Sequence, residues 1–182
     1  MEDSQIAVFK GTYEHRIDGK GRLPVPAVFR RSLAPGEGVV VTLLDQCLAA
    51  YPPGEWKKLE AQLAALPAFS KPVKAITRLL ASRASDCALD VQGRILVPPM
   101  LRAAAGLSGD VVIVGVLNRF EIWAPGAWAT FVAESEKMLD HVSFDLQWPP
   151  APGLPEGTPP DDPGPGTGSP LSPLRPQAKP KR

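Results

Sequence analysis

The sequence contains one uncommon phrase twice. Residues 16–30 read RIDGKGRLPVPAVFR and residues 88–102 read ALDVQGRILVPPMLR, an offset of 72 residues without a gap. The same offset aligns VVVTLLDQCLAAYPPGEW (39–56) with VVIVGVLNRFEIWAPGAW (111–128). Because one register is kept over two long segments, the pattern indicates a tandem duplication, and the fold has to be built from two copies of one unit.

Each copy is predicted to hold four short strands and one short helix. Glycine-rich turns and prolines separate runs that are alternating or β-branched, and such runs favour strands. In the first copy the predicted strands are 13–17, 22–25, 39–44 and 47–51, and the predicted helix is 27–34. In the second copy a strand, the DVQG turn and an ILV strand are followed by a helix from Pro99 and by strands at 111–116 and 119–123.

Longer helices are predicted after each copy. Two sets of apolar residues follow helical spacing, and a further helix is predicted over 125–139. The first set is Trp56, Leu59, Leu63 and Leu66, and the second is Val73, Ile76, Leu79 and Leu80. Both stripes are interpreted as core or interface residues, with no reason to assign them to a cofactor site.

The predicted fold class is α+β, mostly β, with flanking helices. A unit of about 45 residues is too small to hold a good core alone, so the two copies are expected to pack face to face about a pseudo-two-fold axis. From residue 149 onward Pro, Gly and Ser dominate, which is typical of a disordered segment. The predicted boundaries are a flexible extension at 1–8, repeats at 9–56 and 84–128, a helical connection at 57–83, a C-terminal helix at 129–148 and a tail at 149–182.

Composition argues against several function classes. Cys47 and Cys87 have no metal-ligand spacing and are expected to be thiols in a reducing cytosol. No leader and no long uncharged apolar run is present, so a soluble, intracellular protein without membrane contact is expected. The two histidines, His15 and His141, have no nucleophile or base at a suggestive spacing. We therefore expect no enzyme activity, no cofactor, no metal and no small-molecule substrate.

Charge is close to balanced overall but unevenly distributed. The formal net charge is +1, yet residues 10–31 hold six Lys or Arg against two acidic residues, and residues 57–102 hold eight against three. Residues 103–148 reverse the balance, with two basic and six acidic residues. Both basic blocks contain the repeated phrase. A polyanion would dock on such local patches, although a merely solvated mixed surface explains the charges equally well.

The phrase D-x-x-G-R brings a carboxylate and a guanidinium to the same end of a hairpin. Gly21 and Gly93 are expected to adopt positive φ, where a side chain would clash. One interpretation is a structural ion pair that fixes a tight turn. The other is that Asp18 and Asp90 orient Arg22 and Arg94 toward an outside ligand, because a guanidinium fork suits phosphate oxygens and the acceptor edge of guanine. The first copy adds Arg16 and Lys20, whereas the second copy has Gln92 in place of Lys20.

The quoted residues resemble the MraZ family, bacterial proteins built from two tandem SpoVT-AbrB-type domains. The resemblance rests on FKGTYEHRIDGKGRLPVPAVFR (9–30), TRLLASRASDCALD (77–90), DVQGRILVPPMLRAAAGL (90–107) and VGVLNRFEIW (114–123), and it covers residues 9–148 in order. It implies a swapped-hairpin β-barrel formed by both repeats and a ring-shaped homo-oligomer. It also implies a cytoplasmic, nucleoid-associated transcriptional regulator, usually a repressor, that binds promoter repeats of double-stranded DNA upstream of the division and cell-wall cluster.

The resemblance also implies roles for single residues. The expected DNA-facing group is Arg16, Lys20 and Arg22 on the first hairpin and Arg94 on the second, with Asp18 and Asp90 as orienting partners. Weaker candidates are Arg30, Arg31, Arg83 and Arg102, and salt bridges within a repeat or between subunits are the alternative for Arg30 and Arg102. The competing function is a ring-forming scaffold that binds protein partners and not DNA. Hairpins on one exposed face would favour DNA, and hairpins buried in subunit contacts would favour the scaffold.

Overall fold

The computed structural model describes residues 8–139. The predicted N-terminal extension up to residue 7, the end of the helix predicted to reach 148 and the predicted tail at 149–182 lie outside the described residues. Within residues 8–139, no helix has both the length and the apolar character needed to cross a membrane.

Eight strands and five helices are described in this part of the chain. The strands are β1 (Phe9–Arg16), β2 (Arg22–Pro24), β3 (Val39–Leu44), β4 (Cys47–Tyr51), β5 (Ser85–Cys87), β6 (Arg94–Leu96), β7 (Asp110–Leu117) and β8 (Arg119–Trp123). The helices are α1 (Ala27–Arg30), α2 (Pro53–Ala64), α3 (Lys71–Ser82), α4 (Pro99–Ala104) and α5 (Pro125–Leu139). The class is therefore α+β with antiparallel sheets, as the sequence predicts.

The sheet topology has an internal two-fold relation. A six-stranded antiparallel sheet has the order β1-β7-β8-β4-β3-β5, and a second sheet pairs β2 with β6. The corresponding strands of the two repeats are β1 and β5, β2 and β6, β3 and β7, and β4 and β8. Exchanging the two members of each pair gives the same strand orders, read from the opposite end of each sheet. Register follows the same rule: Val39 pairs with Cys87, and Val111 pairs with His15, which is the same pairing after the 72-residue shift. The duplication is thus preserved in three dimensions.

The two repeats interleave, which differs from the predicted face-to-face packing. Strand β1 pairs with β7, and β2 pairs only with β6, so each strand of the repeated phrase pairs with a strand of the other repeat. Residues 17–21 consequently form a turn between β1 and β2, two strands that pair with different strands of the other repeat. Within the described residues β1 and β5 are open edges of the large sheet, so a closed barrel is not found.

The largest of the apolar core clusters contains residues of both repeats. The rings of Phe9, Phe29 and Phe120 meet in the core with centroids 5.3–5.5 Å apart, and each of the three residues is 1% exposed or less. Phe29 lies on α1, and its counterpart Leu101 on α4 is equally buried. Aromatic pairs of this kind contribute beyond the area they bury. Both short helices are therefore held against the core, which fixes the positions of Arg30 and Arg102, the residues that follow Phe29 and Leu101.

Several element boundaries and burial states differ from the prediction. Strand β1 begins at Phe9, four residues early, because its whole length pairs with β7. Helix α1 ends at Arg30, and α2 begins at Pro53, ahead of Trp56. Leu66 lies beyond the end of α2 and is 43% exposed. Helix α3 buries none of its residues, so its apolar stripe is not part of this chain's core.

Candidate nucleic-acid interface

The first turn is organised around the carboxylate of Asp18. Its Oδ1 accepts hydrogen bonds from the backbone N–H groups of Lys20 and Arg22, each at 2.9 Å. Its Oδ2 accepts a hydrogen bond from Arg22 Nε at 2.6 Å, and both side chains remain more than a third exposed. The predicted pairing of Asp and Arg across the turn is confirmed. One carboxylate thus closes the turn and aims the guanidinium at the same time.

The second turn repeats this geometry. Asp90 Oδ1 accepts hydrogen bonds from the N–H groups of Gln92 and Arg94 at 2.9 and 3.0 Å. Asp90 Oδ2 accepts from Arg94 Nε at 2.8 Å and lies 2.7 Å from an Nη2 of the same side chain. The two turns share Asp, Gly and Arg and differ at the two residues between Asp and Gly, and they have the same hydrogen-bond pattern.

Hydrogen bonding keeps both carboxylates ionised. The backbone N–H of Arg22, followed by its side chain, lowers the pKa of Asp18 to about 2. The side chain of Arg94 lowers the pKa of Asp90, with the backbone N–H of the same residue as the next cause. A carboxylate that stays charged near neutral pH orients a cation well and is unsuited to general acid catalysis.

The glycines of the phrase have the predicted conformation. Gly21 has φ +89° and Gly93 has φ +73°, in the region that side chains disfavour. Their carbonyls accept hydrogen bonds from the opposite repeat: Val97 N donates to Gly21 O, and Val25 N donates to Gly93 O. Each turn is therefore joined directly to the other repeat.

The two turns lie at the two ends of one short ribbon formed by β2 and β6. Leu23 pairs with Ile95 at its centre, and both are fully buried on the inner face. Because side chains alternate along a strand, residues 22, 24, 94 and 96 share the outer face. Arg22 and Arg94 are diagonal neighbours on that face, which places their Cα atoms about 7–8 Å apart. Both arginines are thus half-buried on the same outer face of the ribbon, with 39% of the Arg22 side chain and 25% of the Arg94 side chain exposed.

The flanks of the two turns are not equivalent. Lys20 is exposed in the first turn, and Arg16 at the end of β1 pairs with Asp110 at 3.1 Å, with both side chains about three-quarters exposed. The second turn has Ala88 and Gln92 at the corresponding positions. An exposed pair such as Arg16 with Asp110 is weak and easily opened by a stronger partner. The cationic side of the interface is therefore the first repeat.

The weaker arginine candidates divide into two groups. Arg30 on α1 contacts Gly93, and Arg102 on α4 contacts Gly21, so each lies against the turn of the opposite repeat. Neither forms one of the ion pairs found within residues 8–139. Arg31 and Arg83 are exposed residues that follow α1 and α3, outside both turns. The structure brings six of the candidate cations to the ribbon and its turns and leaves these two apart.

Sequence reasoning missed one residue on the outer face. Leu96 is 58% exposed and lies across from Arg22 in the ribbon. The alternation of Arg94, buried Ile95 and Leu96 was the available signal, because the first and third residues of a strand share a face. It also missed the crossing of Arg30 and Arg102 to the opposite repeats, for which the sequence offers no sign.

No alternative metal chemistry competes for this surface in the part of the chain that is described. Among residues 8–139, no three His, Cys, Asp or Glu side chains are grouped as metal ligands. Cys47 and Cys87 are both buried free thiols there, and burial raises the pKa of each. A thiol with a raised pKa is a poor nucleophile and a poor ligand.

Comparison with known proteins agrees with the doubled architecture. The family described as "MraZ protein, putative antitoxin-like" matches residues 8–79 and again residues 80–145. A protein of Ligilactobacillus salivarius (strain UCC118) named "Transcriptional regulator MraZ" is 45% identical over 140 residues, which are 76% of this chain and 96% of the relative. One of the same name from Desulfitobacterium hafniense (strain DSM 10664 / DCB-2) is 49% identical over 130 residues, 71% of this chain and 90% of the relative. With both repeats matched in tandem, this chain belongs to the MraZ family.

Proposed function

We propose that the chain is a sequence-specific DNA-binding transcriptional regulator. It acts as a repressor on promoter repeats of the bacterial division and cell-wall cluster, associated with the nucleoid. The relatives named as transcriptional regulators support the general class. The observation that carries DNA contact is the pair Arg22 and Arg94, each oriented by its own carboxylate and both on the outer face of one ribbon.

The ribbon matches the dimensions of a DNA groove. The major groove admits a two-stranded β-ribbon, and Arg is the side chain that most often reads guanine there. A separation of about 7–8 Å between the two arginines corresponds to roughly two base-pair steps of 3.4 Å. Arg22 contacts its aspartate through Nε, which leaves both of its Nη groups for a base edge or a phosphate. Arg94 contacts Asp90 through Nε and Nη2, which leaves its Nη1 group and the second hydrogen of Nη2.

The residues beside the two turns differ in charge, so the two turns are expected to contact different parts of the DNA. Arg16 and Lys20 beside the first turn supply charge for phosphates, which position the protein without reading sequence. The second turn has no cation at these two positions, so its Arg94 is expected to contribute mainly through direct readout. The first repeat would therefore dominate the salt-dependent part of the affinity.

Assembly into a ring is part of the same proposal, with a second copy of the chain covering α3. Ile76 and Leu79 on this helix are 49% and 47% exposed, and no residue of α3 is buried within the chain. On a helical wheel its cations lie opposite that apolar stripe. A ring would present many copies of the ribbon to adjacent DNA boxes, which raises affinity by effective concentration.

The test is a binding titration with the promoter fragment upstream of the protein's own gene and a scrambled fragment of equal length, at two salt concentrations. The intact protein is expected to prefer the promoter and to bind more weakly at high salt. Arg22→Ala should weaken promoter binding by about 5- to 150-fold, since a good bidentate base contact contributes about 1–3 kcal/mol.

Lys137→Ala serves as the control, because it removes an exposed cation from α5 and leaves both turns intact. It should bind the promoter as the unchanged protein does. Equal weak binding of both fragments, or normal promoter binding by Arg22→Ala, would contradict the proposal. That result would favour the scaffold that binds protein partners.

A further inference from the structure

We infer that Arg30 and Arg102 are positioning residues that act across the repeats, each holding the D-x-x-G-R turn of the other repeat in place. Arg102 belongs to the second repeat and braces the first turn. Arg30 belongs to the first repeat and braces the second. Neither residue is required to touch DNA in order to matter for the interface.

An arginine side chain of the opposite repeat lies against the glycine at both turns. A Cβ placed on Gly21 would lie 2.8 Å from Arg102 Nε and 2.9 Å from Arg102 Cζ. A Cβ placed on Gly93 would lie 2.7 Å from both Cδ and Cζ of Arg30. In each case the guanidinium occupies the space where any other residue would have its side chain. The glycines are thus needed for their positive φ and also for this close approach.

The placement of Arg102 is not explained by a polar partner. Its Nε is buried, and no acceptor within the described residues lies at hydrogen-bonding distance. A buried donor without a partner costs free energy, so packing against Gly21 has to offset that cost. The carbonyl oxygen of Val97 would also lie 2.9 Å from a Cβ at this position, so the space beside Gly21 is filled by two groups of the second repeat.

Arg30 and Arg102 are held in place because they belong to helices α1 and α4, which are anchored in the core. Arg30 directly follows Phe29, and Arg102 directly follows Leu101, and both apolar residues are 1% exposed. The backbone bonds from Val97 to Gly21 and from Val25 to Gly93 tie the same partners together. Each turn is therefore a composite of both repeats, and it contacts an arginine that is distant in sequence, 81 positions from Gly21 for Arg102 and 63 positions from Gly93 for Arg30.

Hydrogen–deuterium exchange of the full-length protein without DNA tests this inference. Peptides covering 17–24 report on the first turn and peptides covering 89–96 on the second. Arg102→Ala should speed exchange in 17–24 by about fivefold to tenfold, the effect of losing one packing or hydrogen-bond contribution of about 1 kcal/mol, and leave 89–96 unchanged. Arg30→Ala should speed exchange in 89–96 by a similar factor and leave 17–24 unchanged.

Arg31→Ala is the matched control, because Arg31 is the exposed neighbour of Arg30 and contacts neither glycine. It should alter neither peptide. The inference is overturned if each variant affects the turn of its own repeat, if both variants affect both turns alike, or if neither turn responds. Should Arg102→Ala fail to fold, Arg102→Lys keeps the charge without the planar guanidinium and should still speed exchange in 17–24 alone.

Exchange in peptides covering β8 provides an internal check that the fold is intact. Since DNA is absent, the result is separate from the test of DNA binding. If each variant speeds exchange only in the turn of the other repeat and the unchanged protein binds no promoter, the positioning role of Arg30 and Arg102 is supported and only the proposed function is refuted.

Discussion

Asp18 and Asp90 occupy the same turn geometry, but different hydrogen bonds dominate their ionisation. For Asp18 the largest cause of the lowered pKa is the backbone N–H of Arg22, and for Asp90 it is the side chain of Arg94. A backbone N–H survives any substitution except proline, whereas a guanidinium does not. The two pairs can therefore be distinguished by removing the arginines.

Arg22→Ala should raise the pKa of Asp18 only part of the way toward its ordinary value of 3.8, because the backbone bonds from Arg22 and Lys20 remain. Arg94→Ala should return the pKa of Asp90 more completely, because its largest cause is lost. Carboxyl carbon chemical shifts measured by NMR against pH would give both values. A full return for Asp18 would mean that its turn is held by the guanidinium and not by the backbone.

The sign of the pH dependence follows from the same values. A carboxyl group with a depressed folded pKa stabilises the folded state above its unfolded pKa. The contribution of Asp18 is therefore present above about pH 4 and is lost as the pH falls through about 2. Neither turn should respond to pH changes near neutrality, so a change in DNA binding between pH 6 and 8 would have to arise elsewhere.

Among the elements, the two turns differ in charge while sharing a backbone. Lys20 and Gln92 occupy corresponding positions, which makes an exchange of the two side chains a controlled experiment. Both residues donate only their backbone N–H to the turn aspartate, so the exchange should leave the folds of the turns unchanged.

Lys20→Gln should reduce the slope of log affinity against log salt concentration by about 0.9, the value for one lost phosphate contact. Gln92→Lys should increase the slope if the second turn also faces phosphates and leave it unchanged if that turn faces bases. Titrations at four or five salt concentrations measure both. An unchanged slope in Lys20→Gln would remove Lys20 from the interface and would weaken the assignment of charge to the first repeat.

The sequence predicted these elements more accurately than it predicted their partners. Turn residues and β-branched runs are local signals, so β3 and β4 were located correctly and the Asp–Arg pairs were foreseen. Strand pairing is non-local, and the duplication is compatible both with two packed units and with interleaved strands. The resemblance implies hairpins exchanged between the repeats, but the residue pattern alone could not reveal that β2 pairs with β6, and so could not show that Arg22 and Arg94 share one face.

At the scale of the whole molecule, the apolar stripe of α3 is a second feature whose contact partner the sequence does not predict. The spacing of Val73, Ile76, Leu79 and Leu80 is equally suitable for a core and for an interface. Only the structure separates them, since α3 is tied to the sheet at one end, where Thr42 Oγ1 donates to the carbonyl of Leu80, and buries no residue. An exposed apolar helix face is expected to find a partner, and the proposed ring supplies a second copy of the chain.

Ile76→Asp should break the ring by placing a charge in this contact, whereas Ala75→Asp, on an exposed neighbour outside the stripe, should not. Mass photometry would measure the assembly. Linked binding adds roughly 10²- to 10⁴-fold to affinity without new contacts, so Ile76→Asp should lose its preference for DNA with several boxes over DNA with one box. Its affinity for a single box should stay unchanged, because each chain carries a complete ribbon. If the dissociated protein also loses single-box binding, the reading unit is shared between subunits and a single chain is not sufficient.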